Sequence, residues 1–316
     1  MTGIFLRTLI FFFFFFFSSY IGHVYADSEW ESLNQEIELK YQQGNYADAL
    51  TAAKKALQSA ESTFGQDHLN VAMSLNNLAE VYRMQGQYVE AEKLFKRALN
   101  IHEATLGLDH LDVSMNLNNL ALLYQAQERD KEAESLYKRA IKIKENILGP
   151  DHPDLATSLN NLASLYQFQR EYVQAESFYS RALEINIRIF GVNHLSVATG
   201  LSGLAAIHSE KEEYTQATSL SLKALETVEK VLGPNHPAVA ASLNNLAVLY
   251  TLQSRYSEAR PLVKRALKIW VDTLGPEHPD VATGLENLAQ LHRKTHQEKE
   301  AKLLEDRATA IRAMHR

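Results

Sequence analysis

A period of 42 residues runs through the chain from about residue 30 to its end, and this period restricts the folds available to it. Glycine, histidine and alanine all recur at this spacing, with no insertion. The glycines are Gly65, Gly107, Gly149, Gly191, Gly233 and Gly275, the histidines are His68, His110, His152, His194, His236 and His278, and the alanines start at Ala49 and Ala56. A strict repeat of this length predicts an array of like units, each packed against its neighbours.

Each unit has the apolar spacing of two helices. Leu75, Leu78, Ala79 and Tyr82 lie at i, i+3, i+4 and i+7, which is the apolar stripe of one helix, and the same spacing resumes after a break at Gly86. We therefore predict an all-α array of seven helical hairpins. The predicted units are residues 30–63, 72–105, 114–147, 156–189, 198–231, 240–273 and 282–315, all within a repeat domain of residues 27–316.

The connector between units contains residues that stop one helix and start the next. Gly149 suits the left-handed residue that ends a helix, Pro153 suits the first helical position, and Asp154 favours the positive end of the helix dipole. One histidine stands in the same turn of six units. Copies held in separate turns cannot converge on one metal ion or substrate, so we predict that these histidines cap or pack the turn.

Residues 1–26 differ in composition from the repeats. Arg7 is the only charge before an apolar run from Leu9 to Phe17, and Val24, Tyr25 and Ala26 have the spacing that a signal peptidase accepts. We expect a signal peptide that is removed after Ala26 and a mature protein in the bacterial periplasm or secreted. An uncleaved anchor is the alternative, although the run is shorter than the ~20 residues of a membrane-spanning helix.

Composition excludes several classes of function. The formal net charge is −6, and no cationic stripe of the kind that nucleic-acid binding requires is present, so we expect no nucleic-acid partner. The chain has no cysteine, which excludes disulfides and thiolate sites. It contains no phosphate-binding loop, nucleophile elbow or paired metal-ligand motif, and we predict no enzyme activity, no cofactor and no metal.

The repeat LGPDHPDLATSLNNLASLYQFQREYVQAESFYSRALEI, from Leu148 to Ile185, resembles the tetratricopeptide repeats of the kinesin light chain type. The resemblance covers nearly the whole chain after residue 26. It implies a right-handed superhelical solenoid whose first helices line a concave groove that binds short peptide segments of other proteins. The chain departs from the motor subunit because it lacks a heptad coiled coil, so the resemblance extends to the repeat module only.

The first helix of each unit has a polar face opposite its packing stripe, and asparagine is its most regular feature. A side-chain amide both donates and accepts hydrogen bonds, so a ladder of amides could pair with the backbone of an extended peptide. Alternatively, one asparagine of each pair bonds to the neighbouring hairpin. The first row is Asn76, Asn118, Asn160 and Asn244, and the second row is Asn77, Asn119, Asn161, Asn245 and Asn287.

Other positions on this face vary from unit to unit, and the middle units are largely uncharged there. Leu122, Phe168, Val248 and Leu252 are the predicted anchors for a mixed or apolar peptide. Packing against the adjacent helix is the alternative role for these side chains. The function predicted from this face is a non-enzymatic scaffold that binds a protein or an extended peptide. A structural protein that self-associates through its terminal hairpins is the second hypothesis.

The fifth unit departs from the pattern. Gly200 and Gly203 lie inside its first helix, and Ser202 and Gly203 replace the asparagine pair. Glycine inside a helix lowers its stability by about 1 kcal/mol relative to alanine. The unit is either a soft joint or the product of neutral sequence drift, and drift is the simpler interpretation.

Overall fold

The computed structural model describes residues 28–42 and 45–314, and all regular secondary structure in these residues is helical. The described residues form fourteen helices in seven consecutive pairs, which confirms the predicted all-α repeat array. The predicted signal peptide and its cleavage site lie outside the described residues. The first helices are α1 Ser28–Gln42, α3 Leu69–Met84, α5 Leu111–Ala126, α7 Pro153–Phe168, α9 Leu195–Glu210, α11 Pro237–Leu252 and α13 Pro279–Lys294. The second helices are α2 Tyr46–Phe64, α4 Tyr88–Leu106, α6 Asp130–Leu148, α8 Tyr172–Phe190, α10 Tyr214–Leu232, α12 Tyr256–Leu274 and α14 Glu298–Met314.

Small residues allow the helices to pack closely. The alanines that recur from Ala49 and Ala56 are almost completely buried in every unit. Second helices also pack against the first helix of the next hairpin within each compact part of the chain, for example α4 against α5 and α12 against α13. The buried core thus lies at interfaces between sequential helices, as the repeat predicts.

The connectors have the backbone that their glycines predict. Gly149 ends α6 with φ 87° and ψ 167°, a conformation that residues with a Cβ rarely adopt. No neighbouring atom lies within 4 Å of a Cβ placed there, so the requirement for glycine comes from the backbone angle. Pro153 occupies the first turn of α7, as predicted.

The described chain divides into two compact units, with the boundary between Ile185 and Asn186. We call the part up to Ile185 the N-terminal block and the part from Asn186 the C-terminal block. Each block contains its own first helices and its own buried core. Among the described residues, no helix combines the length and apolar character needed to cross a membrane.

Candidate functional site

The six connector histidines are helix N-caps. In each connector the histidine Nδ1 accepts a hydrogen bond from the backbone N–H two residues further on, as His152 does from Asp154 at 3.2 Å. His68 and His236 form the same bond at 3.1 Å, and His110, His194 and His278 form it at 3.2 Å. The bond satisfies one of the amide groups left free at a helix start. The predicted capping role is confirmed.

The first helices lie side by side within each block and form a surface that we call the first-helix face. In the N-terminal block α1 contacts α3, α3 contacts α5 and α5 contacts α7, and in the C-terminal block α11 contacts α13. Successive units of one block therefore present equivalent residues next to one another across this face. The predicted asparagines and apolar anchors all lie on these helices.

Asparagine amides bond to one another between neighbouring hairpins. Asn161 Nδ2 donates to Asn118 Oδ1 at 3.1 Å, and Asn77 Nδ2 donates to Asn34 Oδ1 at 2.8 Å. In the C-terminal block Asn287 Nδ2 donates to Asn244 Oδ1 at 2.8 Å. In each case a second-row asparagine bonds to the first-row asparagine of the preceding hairpin. These amides stabilise the array, as the alternative interpretation of the pairs proposed.

Burial separates the paired asparagines from the accessible ones. Asn118, Asn161 and Asn244 are 4 to 7% exposed, so a peptide could not reach them without displacing the neighbouring helix. Asn245 is exposed and Asn119 is half-buried, and neither takes part in the bonds between hairpins described above. Binding of a peptide backbone by the asparagine ladder stays a prediction. Asn119 and Asn245 are the candidates for such hydrogen bonds.

Two first-row asparagines depart from this pairing. Asn76 Nδ2 donates to Asn116 Oδ1 at 2.5 Å, which leaves Asn76 Oδ1 buried without a partner. Asn160 Oδ1 is also buried without a partner. An unpaired buried carbonyl oxygen is costly, so both amides differ from Asn118 and Asn244, whose oxygens each accept a hydrogen bond.

The predicted apolar anchors have different environments. Phe168 is 53% exposed and Leu252 is 50% exposed, whereas Val248 is half-buried. Leu122 is 8% exposed and packs in the core, so the packing alternative describes it better than an anchor role does. A Leu side chain at this position is buried because the adjacent first helices approach closely.

Three exposed methionines extend the apolar part of the first-helix face. Met73 and Met84 lie on α3 and Met115 lies on α5, with exposures of 41%, 39% and 45%. None of the three was among the predicted anchors. Met115 follows Met73 by one repeat period. This recurrence on the polar face is the sequence pattern from which Met73 and Met115 could have been predicted as apolar surface residues. Methionine is flexible and adapts to varied apolar partners.

Glu80 and Arg83, two charged residues of α3, neutralise each other. The guanidinium of Arg83 donates to both carboxylate oxygens of Glu80, at 2.6 and 2.8 Å, and Tyr41 donates to the same carboxylate at 3.3 Å. Burial, together with the Glu80 charge, raises the pKa of Tyr41, which therefore remains a hydrogen-bond donor. The pair adds little net charge beside the methionines.

Among the described residues, no group of three or more histidine or carboxylate side chains could hold a metal ion.

The Tetratricopeptide repeat family model matches residues 31–104, 70–146, 112–188, 154–226, 196–270 and 252–313. No curated protein matches the chain.

Several solved structures are similar. BtubC (BKLC) from P. vanneervenii is 27% identical, with a TM-score of 0.60, over 73% of this chain and 92% of that one. A putative kinesin light chain of nearly identical TPR-like repeats from P. anserina is 25% identical, with a TM-score of 0.55, over 66% and 99%. The apo form of RapI is 15% identical with a TM-score of 0.66, over 90% and 98%, and supports the fold alone.

Proposed function

Because the chain belongs to the tetratricopeptide repeat family, we propose that it is a non-enzymatic scaffold that binds an apolar protein segment on its first-helix face, outside the cytoplasm. The observation that carries the proposal is the exposure of Met73, Met84, Met115 and Phe168 on neighbouring first helices of the N-terminal block. Exposed apolar side chains grouped on one surface are typical of binding sites. Repeats of this family usually bind proteins or peptides.

The chemistry of the face favours an uncharged segment. Glu80 and Arg83 are paired with each other, with only 11% and 16% of their side chains exposed, so neither attracts an ion strongly. The methionines can adjust to side chains of different shape, which favours several related partners over one fixed sequence. In the C-terminal block Leu252 and the exposed Asn245 offer a second apolar and amide surface of the same kind.

Selection of short phage-displayed random peptides on the purified chain tests this function. Selected peptides are expected to be apolar and without clustered charge. Fluorescence anisotropy with one such peptide should show that Phe168→Ser weakens binding at least about tenfold, because an anchor contributes more than about 1.4 kcal/mol. Val173→Ser is the matched control, since Val173 is 81% exposed on the second helix α8. Equal effects of the two variants would place binding elsewhere.

The extracytoplasmic location rests on residues 1–26, where Arg7, the phenylalanine run and Val24-Tyr25-Ala26 have the order of a signal peptide. Mass spectrometry of the protein produced in a bacterial host should find Asp27 as the first residue. Soluble cytoplasmic protein that retains Met1 would contradict export. This result leaves the binding function untouched, because the two claims rest on different residues.

Self-association through the last hairpin is a second candidate function. Leu303 and Met314 on α14 are 71% and 64% exposed. Most other units have a polar or small side chain at the position of Leu303, so an exposed leucine there is particular to the last hairpin. Light scattering over a range of concentrations should show dimers that Leu303→Ser removes. A chain that stays monomeric at all concentrations excludes this function.

A further inference from the structure

Arginine–glutamate pairs join consecutive second helices within each block. Arg181 Nη1 lies 2.6 Å from Glu145 Oε1, and the same arginine donates to the backbone oxygen of Pro150 in the connector. One arginine thereby ties its hairpin both to the preceding helix and to the turn that follows that helix. The equivalent pairs are Arg97 with Glu61, Arg139 with Glu103 and Arg265 with Glu229, at 2.6 to 2.7 Å.

The asparagine ladder is the second recurring bond between hairpins. It requires an acceptor amide on one first helix and a donor amide 43 residues later, as in Asn118 and Asn161. The arginine pair joins second helices and the amide pair joins first helices. Hairpins that have both bonds are thus tied to each other on two sides of the array.

The residue types needed for both bonds are missing on the C-terminal side of Asn186, the first residue of the C-terminal block. Ile187 occupies the position of the glutamate and Lys223 the position of the arginine, and an isoleucine side chain cannot form an ion pair. Gly203 occupies the position of the donor asparagine, and Asn160, in the acceptor row, has a buried oxygen without a partner. Gly200 and Gly203 also lower the helix propensity of α9.

We propose that the N-terminal and C-terminal blocks unfold as two separate cooperative units, with the break in cooperativity at the end of α8. In a repeat array, stability is the sum of the stability of each unit and of its interfaces with its neighbours. Consecutive hairpins whose sequences lack the residues for the two recurring bonds are expected to stabilise each other less. The departures in the fifth unit therefore favour the soft joint over neutral drift.

The two tryptophans of the chain allow each block to be observed separately. Trp30 is buried in the N-terminal block, where its Nε1 donates to Ser74 Oγ at 2.8 Å, and Trp270 is buried in the C-terminal block. Urea unfolding of Trp270→Phe and Trp30→Phe chains, followed by fluorescence, should give midpoints that differ by about 0.5 M or more. Coincident midpoints would contradict the proposal.

Fraying from both ends of a uniform array could also separate the two midpoints, so the position of the break needs its own test. Ile187→Glu combined with Lys223→Arg restores the residue types of the missing pair, and the two midpoints are expected to move together. Val271→Glu is the matched control, because it places a glutamate at the same repeat position opposite Arg307. The control should raise the Trp270 midpoint alone. Midpoints that stay apart in the restored variant overturn the proposal.

Hydrogen exchange measured by mass spectrometry gives an independent readout on the unmodified chain. Two blocks should produce two levels of protection, with a step between peptides on the two sides of Asn186. A gradual decline of protection from the centre towards both ends would instead show a uniform array and overturn the proposal.

Discussion

The Nζ of Lys144 lies 3.0 Å from the Oγ of Ser158 and 3.1 Å from the backbone oxygen of Asp154, between α6 and α7. The lysine is 8% exposed, and burial lowers its pKa to about 8, opposed in part by the charge of Asp154. A cation held in the interior with two neutral acceptors destabilises the folded chain relative to an apolar side chain of similar length.

This lysine predicts a pH dependence of stability. Because the folded pKa is about 8 and the ordinary value is 10.5, the unfolded chain binds more protons between these two pH values. The free energy of unfolding should therefore rise as pH increases over that window. The stability gained by deprotonating Lys144 should be lost again as pH falls through about 8. Urea unfolding at pH 7, 9 and 10.5 measures the slope.

Lys144→Met should raise the free energy of unfolding at pH 7 by about 1 to 3 kcal/mol, because it removes the buried charge. The gain should shrink as pH approaches 10.5. Lys142→Met is the control, since Lys142 is exposed on the same helix and should change stability by less than about 0.5 kcal/mol. A Lys144→Met chain that is less stable at pH 7 would show that the two hydrogen bonds outweigh the burial of the cation.

The capping role of the connector histidines predicts how substitutions of His152 change the stability of the chain. His152→Ala removes the acceptor for the Asp154 N–H and should cost about 1 kcal/mol of stability. His152→Asn should recover most of this loss, because asparagine accepts the same backbone bond from a cap position. Thermal unfolding of the two variants provides the comparison. Equal losses would mean that the ring contributes by packing and not by its acceptor.

The hairpins and their caps could be predicted from the sequence because each depends on local spacing, although most first helices begin three residues before the predicted units, as α3 does at Leu69. Gly149, Pro153 and the apolar stripe of Leu75 act within one helix or turn, and the 42-residue period repeats the same signal several times. The capping role of the histidines also follows from their position alone, since the bond spans only two residues.

The accessibility of the first-helix face could not be predicted in the same way. Whether Leu122 is buried while Phe168 is exposed depends on the distance between adjacent first helices, which no local pattern encodes. The pairing of Asn118 with Asn161 depends on the register of two hairpins. The sequence places these residues on the first helices, but their contacts across hairpins depend on how one hairpin packs against the next.

Asn118 and Asn160 occupy the same repeat position in different environments. Variants of these two residues can therefore distinguish a structural role of the asparagine ladder from a role in peptide binding. Asn118 Oδ1 accepts from the buried amide of Asn161, whereas Asn160 Oδ1 is buried without a partner. Asn118→Ala leaves the Asn161 amide unsatisfied and should cost about 1 to 3 kcal/mol of stability, and Asn160→Ala should cost less than about 1 kcal/mol. Urea unfolding of the two single variants measures the difference.

The same two variants then test whether the ladder also binds peptide. If the first row reads a peptide backbone, Asn160→Ala should weaken binding of a selected peptide by about 1 to 3 kcal/mol while the free energy of unfolding hardly changes. Fluorescence anisotropy at a temperature where both variants are folded gives the binding constant. Normal binding by both, with early melting of Asn118→Ala alone, would show that the first row is structural and leave recognition to Phe168, the exposed methionines and the second-row amides Asn119 and Asn245.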